Sequence, residues 1–200
     1  MPSFVTVSRA AAILGFASET LRLRVHHNTP FLTVAPGRTQ PYGAEELLAI
    51  ALAHSIEVST RLPWREAARG VRKTQGARQF LRTVVKDAAQ AARLHIVGWS
   101  KVADCTSAPA IEWESADLTD ITEVVTARTL RTQDRLGIGI VCAFPILAAW
   151  QLLQAKATTA GFAVSAAGVV PRKPSCIGAD FVEKADPELR ARRSCEVLSR

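Results

Sequence analysis

Residues 15–30 read GFASETLRLRVHHNTP, and this stretch decides how the first part of the chain is interpreted. Gly15 suits the left-handed conformation that ends a helix, and Ser18 is a favoured N-cap for a helix that follows. Leu21 and Val25 lie four residues apart, so they share one helical face. The stretch therefore predicts a sharp turn and then a helix with a narrow apolar face and a basic remainder.

A short helix is expected just before that turn, over VSRAAAILGF (7–16). Ser8 is a suitable N-cap for it, and Ala11 and Leu14 are placed to face inward. Two short helices joined by so tight a turn predict a helix-turn-helix. In that motif the second helix enters the major groove of duplex DNA.

The hydrophobic pattern of the remaining sequence predicts further helices and several short strands. A hairpin with a basic tip at Arg38 is expected over FLTVAPGRTQPY (31–42). A helix follows over 43–56, and another over 64–73 has Pro63 at its start. The later elements are strands over 95–99, 110–113 and 137–144, helices over 117–136 and 145–156, an extended run over 161–170, and a last helix over 186–198.

One long amphipathic helix is predicted over 75–94. Its apolar face includes Phe80, while Arg78, Arg82 and Lys86 recur every four residues on the opposite face. Such a stripe is typical of a solvated surface. If the helix lay near a duplex, the same cations would add affinity without sequence preference.

Positive charge is unevenly distributed along the chain. The 200 residues carry a formal net charge of +7, with 14 Lys or Arg against 6 Asp or Glu in residues 1–101, and 11 against 12 in residues 102–200. A basic half joined to a near-neutral half is typical of a protein that meets a polyanion with one part only. We therefore predict a DNA-binding domain with a helical extension over 1–95, and a second domain over 96–200 that dimerises, binds an effector, or both.

The N-terminal part resembles the winged helix-turn-helix domain of MerR-type regulators and of the related excisionase-like proteins. The resemblance covers residues 4–56. It rests on the second helix opening SETLR (18–22), on the wing PGRTQPY (36–42), and on a third helix opening with the acidic residues of EEL (45–47). It implies an α-rich winged helix-turn-helix domain, here followed by a smaller α+β domain, and duplex DNA as a partner.

Arg22 is the principal candidate for contact with DNA. An arginine early in a recognition helix reaches a phosphate or the O6 and N7 edge of guanine. For Arg24, which points to another face, and for His26 and His27, contact with DNA and a solvated position both remain open. Arg38 would enter the minor groove or follow its backbone, unless it is simply a solvated turn residue. The predicted DNA-binding residues are Ser18, Thr20, Arg22, Arg24, His26, His27, Arg38 and Tyr42.

The sequence contains no catalytic motif of the common kinds: no glycine-rich phosphate loop, no HExxH and no Gly-x-Ser-x-Gly. Glu112 and Glu114 flank Trp113 on a predicted strand, so they share one face. Two carboxylates placed in this way suit acid–base chemistry or a cation, or simply an exposed strand face. We expect no enzyme activity and no cofactor.

The cysteines are scattered and form no CxxC pair, which argues against a structural zinc site and a disulfide framework. They are Cys105, Cys142, Cys176 and Cys195. The N-terminus lacks the pattern of a signal peptide, so we expect a cytoplasmic protein. The uncharged run 136–153 raises the question of a membrane span, but its glycines and proline favour a buried strand and helix.

These observations predict a sequence-specific duplex DNA-binding protein, most simply a homodimeric transcriptional regulator that reads the major groove with residues 18–27. A dimer is expected because one short helix reads few base pairs. The first alternative is an excisionase-like or other architectural factor that bends DNA. The second is an effector-binding or enzymatic C-terminal domain that the N-terminal module targets to DNA. The sequence does not specify the DNA site, the effector or the sign of regulation.

Overall fold

A computed structural model describes residues 4–28, 42–101, 110–121, 123 and 141–172 of the chain. The helices in these ranges are α1 Val7–Leu14, α2 Ser18–Asn28, α3 Ala44–Thr60, α4 Trp64–Thr74, α5 Gly76–Val84, α6 Ala88–Ala92 and α7 Ile146–Thr159. The strands are β1 Leu94–Lys101, β2 Ala110–Asp117, β3 Val141–Pro145, β4 Phe162–Ser165 and β5 Gly168–Pro171. A helical turn also covers residues 118–121. The described chain is thus rich in helix, with small antiparallel sheets in its C-terminal part.

The predicted turn between the first two helices is confirmed. Gly15 ends α1 with φ 75°, in the left-handed region, and its N–H and that of Phe16 bond back to carbonyls of the last turn of α1. The predicted caps are wrong by one or two residues. Thr6, not Ser8, occupies the N-cap of α1, and Ser18 already lies inside α2, whose first backbone bond runs from Leu21 to Ala17.

The third helix begins where the acidic pair predicted it. The Glu46 carboxylate accepts a hydrogen bond of 2.9 Å from the N–H of Gly43, which closes the first turn of α3. Apolar residues then recur along the helix and are almost fully buried, so α3 forms the centre of the helical part. Its buried side chains are Ala44, Leu47, Leu48, Ala49, Ile50, Leu52, Ala53 and Ile56.

The single long helix predicted over 75–94 is wrong. The helix stops at Val84, and Val85 is 73% exposed instead of lying in the predicted apolar face. Asp87 then starts α6, because its carboxylate accepts a hydrogen bond from the N–H of Gln90 and thereby favours a new N-terminus. The chain enters β1 at Leu94.

The main sheet has three antiparallel strands in the order β2-β1-β3, and it packs against α4 and α5. Trp113 of β2 lies in close contact with this helical layer. A Cβ atom on Gly70 of α4 would lie 2.4 Å from the Trp113 ring, and one on Gly98 of β1 would lie 2.6 Å from it. The two glycines therefore allow the indole to lie directly against the backbone of both elements.

α7 joins the C-terminal elements to the N-terminal helices. It contacts α1, α3 and the β4–β5 hairpin, and its side chains Trp150 and Leu153 are buried. One continuous cluster of buried apolar residues extends from Val5 to Val169. The domain boundary near residue 95 stays a prediction, and the core is continuous across it.

Some predicted elements lie outside the described residues. They are the hairpin with Arg38, most of the helix over 117–136, the first part of the strand over 137–144, and the last helix. Cys142 is the one described cysteine; it is half-buried and forms no disulfide. Among the described helices, none has the length and apolar character needed to cross a bilayer.

Candidate nucleic-acid interface

α2 has a narrow apolar face toward the core and a polar face toward solvent. Leu21 and Val25 are buried, at 0% and 3% exposure. On the other side, Thr20 is exposed and the Arg22 side chain is 57% exposed. An ion pair of 3.8 Å joins Arg22 to Glu19 across one helical turn. An exposed pair of this length adds little stability, so the Arg22 guanidinium is available to an anionic partner.

Arg24 lies on a different side of α2 and is engaged within the protein. Its guanidinium forms a 3.0 Å ion pair with Glu57 of α3 and lies 3.3 Å from Nδ1 of His54. His54 in turn contacts the same carboxylate at 3.2 Å. The side chains of Arg24 and Glu57 are each only 23% exposed. We therefore assign Arg24 to the joint between α2 and α3 and no longer place it among the DNA contacts.

Aromatic rings complete this joint. The guanidinium carbon of Arg24 lies 4.6 Å from the centre of the Trp64 ring and 5.0 Å from that of Phe16, within the range of cation–π attraction. The Trp64 indole N–H also donates to the backbone oxygen of Arg24 at 3.1 Å. Because Phe16 belongs to the α1–α2 turn and Trp64 opens α4, one arginine fixes α2 against the turn, α3 and α4. We call Arg24, His54, Glu57, Trp64 and Phe16 the arginine joint.

Tyr42 was predicted to contact DNA, and the structure corrects this. Its backbone pairs with Val5 in an antiparallel bridge, and its side chain is 0% exposed, so it belongs to the core that supports α1 and α3. The hydroxyl has no hydrogen-bond partner among the residues that the structure describes. Burial raises the pKa of this phenol above 10.0, and the nearby positive charge of Arg22 opposes that rise.

The structure describes the remaining predicted DNA-binding residues only in part. Ser18 is half-buried in the first turn of α2. His26 and His27 belong to the last turns of the helix, but their side chains, like Arg38, fall outside the described part of the chain. The structure thus places Ser18, Thr20 and Arg22 in the first turns of α2, Arg24 in the arginine joint and Tyr42 in the core.

Leu23 is a surface residue that the sequence analysis did not select. Its side chain is 50% exposed, between the two arginines of α2. A large apolar side chain exposed on the polar side of a helix is suited to contact with the methyl group of thymine. The signal was present in the sequence, because Leu23 breaks the four-residue spacing of Leu21 and Val25.

The described residues contain no cluster of three or more His, Cys, Asp or Glu side chains able to hold a metal ion. Glu112 and Glu114 lie half-buried on β2, opposite Trp99 and Val97 of β1, and both interact with neighbouring groups.

No protein-family model and no curated protein sequence matches this chain.

Proposed function

We propose that the chain is a sequence-specific duplex DNA-binding protein with an N-terminal winged helix-turn-helix, in which α2 enters the major groove. The proposal depends mainly on one arrangement. α2 is fixed on its inner side by buried Leu21 and Val25 and by the arginine joint, while Thr20 and Arg22 remain exposed. A rigid helix with a polar, positively charged outer face is what readout of base edges requires.

The length of this face explains why a dimer forms part of the proposal. Between Ser18 and Asn28 the helix has 11 residues, or roughly 16 Å at 1.5 Å per residue. Such a helix reaches only a few base pairs, so useful specificity in a genome needs two copies on two half-sites. We propose a homodimer that regulates transcription in the cytoplasm, with a small-molecule effector as a further partner.

The test is the effect of Arg22→Ala on DNA binding. The duplex is first obtained by selecting bound fragments from a random pool with the full-length wild-type chain. Arg22→Ala should weaken binding to that duplex by about 1–3 kcal/mol, or roughly 5- to 150-fold, if Arg22 makes a bidentate contact with a base. It should also reduce the preference over a scrambled duplex.

Arg172→Ala is the matched control, because Arg172 is an exposed arginine at the end of β5. It removes the same charge without touching α2, so the preference for the selected duplex should be retained. An Arg22→Ala protein that binds the selected and scrambled duplexes as the wild type does, at matched salt, contradicts the assignment of α2. A wild-type chain that selects no duplex contradicts the whole proposal.

A further inference from the structure

The largest concentration of positive charge in the described residues lies outside the predicted recognition helix. The segment 64–86, which covers α4 and α5, contains seven Lys or Arg and one Glu, a net charge of +6. In contrast, residues 18–28 of α2 contain two Arg and one Glu, a net charge of +1. Because attraction to a polyanion follows the number of cations, α4 and α5 have more capacity for it than α2.

Part of this charge surrounds a cleft where the two helices meet. α4 ends at Thr74, Gln75 turns the chain with φ 51°, and α5 begins at Gly76. The open cleft at this corner has a volume of about 510 Å³. Its lining is entirely polar and contains no carboxylate: Lys73, Thr74, Gln75, Arg78, Gln79, Arg82 and Thr83. We call it the corner cleft.

The cations of the corner cleft are mostly not neutralised. Within the ranges that the structure describes, neither Lys73 nor Arg82 forms an ion pair with a carboxylate. Arg78 donates through Nε to Glu45 at 2.9 Å, which leaves its terminal amino groups for another acceptor. Three cations are thus opposed by one carboxylate at the margin, and an anion in the cleft would relieve their mutual repulsion.

The uncharged lining residues also favour an anion. The Gln79 carbonyl oxygen accepts a 2.9 Å hydrogen bond from Ser115, which orients the side chain and leaves its amide N–H groups to donate. The Thr74 and Thr83 hydroxyls donate to backbone carbonyls one turn earlier and are already used. Beside the cations, the Gln79 amide N–H groups therefore remain as donors in the cleft.

We propose that the corner cleft binds the phosphodiester backbone of the duplex, as a second contact separate from α2. This inference rests on the proposed function. Pockets for small molecules are lined mainly by apolar and aromatic side chains, and the corner cleft has none, so it suits bare phosphates better than a phosphorylated metabolite. α4 contacts α2 through Trp64 at its start, and its 11 residues place the cleft roughly 16 Å from that end. The cleft is therefore separate from α2 and would contact phosphates that α2 itself does not reach.

The test compares salt dependence in full-length variants. Lys73 and Arg82 are both exposed, so neutralising them leaves the core intact. Lys73→Gln and Arg82→Gln should each make the negative slope of log affinity against log salt shallower by about one, and the double variant by about two. Each of these variants should weaken binding to the selected duplex and binding to the scrambled duplex by the same factor, because phosphate contacts are not sequence-specific. Glu45→Gln, which frees Arg78 from its ion pair, should instead raise the affinity for both duplexes.

Arg172→Gln is the charge-matched control and should leave the slope close to that of the wild type. A double variant with the slope of Arg172→Gln overturns the inference. Calorimetry with a mononucleotide provides a second way to overturn it. The inference fails if the wild-type chain binds the mononucleotide at micromolar affinity and the double variant does not, while the two proteins bind the duplex equally well. Failure of the proposed function has a different signature, because the wild-type chain would then select no duplex at all.

Discussion

The two ends of α4 use positively charged side chains in opposite ways. At the Trp64 end, Arg24 is held between two aromatic rings and paired with Glu57, and its side chain is mostly buried. At the Thr74 end, Lys73 and Arg82 are exposed around a polar cleft. The first arrangement fixes a helix in place, and the second leaves charge available to a partner.

The difference shows that the role of an individual cation depends on the surroundings that the fold gives it. Arg22 and Arg24 are two residues apart, but only Arg22 faces solvent. What separates them is the surroundings supplied by α3 and α4, because a buried guanidinium needs a carboxylate and a surface to pack against. Neutralising Arg24 and neutralising Arg82 should therefore affect different properties, stability in one case and salt-dependent binding in the other.

The most severe way to disrupt the arrangement at the Trp64 end is Trp64→Ala. The ring is 8% exposed, covers the Arg24 guanidinium and donates to the backbone of α2. Its loss should lower the free energy of unfolding by about 3–5 kcal/mol, the usual cost of removing a large buried aromatic ring. Denaturant unfolding measures this directly. Val58→Ala, on an exposed side of α3, is the control; similar small losses in both variants would show that the arginine joint does not hold α2.

A smaller effect is expected from Gly15→Val. Gly15 has φ 75°, where a side chain costs roughly 1–2 kcal/mol, and its Cβ position lies 3.7 Å from the Lys156 ammonium, an ordinary contact distance. The strain should move the start of α2 and lower DNA affinity, even though residue 15 contacts no DNA in the proposal. Affinity and thermal unfolding should be measured on the same sample.

Gly161→Val provides a matched control for this strain. Gly161 has φ 80° and no atom within 4 Å of its Cβ position, but it lies at the end of α7, away from α2. It should reduce stability by a similar amount and leave the DNA affinity of the folded protein unchanged. If the two variants lose DNA affinity equally, the α1–α2 turn has no special role in positioning α2.

The smallest effect is expected from Tyr42→Phe. The hydroxyl is buried without a hydrogen-bond partner, so removing it should change stability by less than about 1 kcal/mol near neutral pH and leave DNA affinity unchanged. The pKa of Tyr42 in the folded state is raised above 10.0. The folded protein therefore keeps its full stability below pH 10, where the phenol is neutral, and loses stability as the pH rises beyond it.

Tyr42 is the chain's single tyrosine, so tyrosinate absorbance reports its ionisation alone. Tyr42→Phe should therefore keep more of its stability than the wild type above pH 10. Ionisation at the ordinary pKa of 10.0 in the folded wild type would show that Tyr42 is accessible and would restore it as a candidate contact.

Features that depend on local chemistry were predictable from the sequence. The turn at Gly15 follows from backbone freedom, and the start of α3 follows from a carboxylate three residues inside the helix. The break after Val84 was missed because the apolar spacing continues through it, and only the capping capacity of Asp87 marks it. The capping capacity of Asp87 was a weaker signal than the hydrophobic periodicity on either side of it.

Features that depend on distant residues were not predictable in the same way. Arg24 is joined to Glu57 and Trp64, which lie 33 and 40 residues further along the chain. The corner cleft exists because α5 is not continuous with α4 and packs against β1. Hydrophobic periodicity describes the face that a residue occupies, but it does not identify the element that covers that face.

The hydrogen bond between Lys156 and Leu14 has a consequence for how the protein folds while it is being synthesised. The Lys156 ammonium donates to the Leu14 carbonyl at 3.1 Å, across 142 residues of chain, and α7 packs on α1 beside it. At about 5–20 residues per second, a ribosome releases α7 roughly 7–30 s after α1. During that interval the N-terminal helices have left the ribosome without the helix that covers them. The α1–α2 pair therefore reaches its final packing only after α7 has been synthesised, and a chain that stops before residue 146 never does.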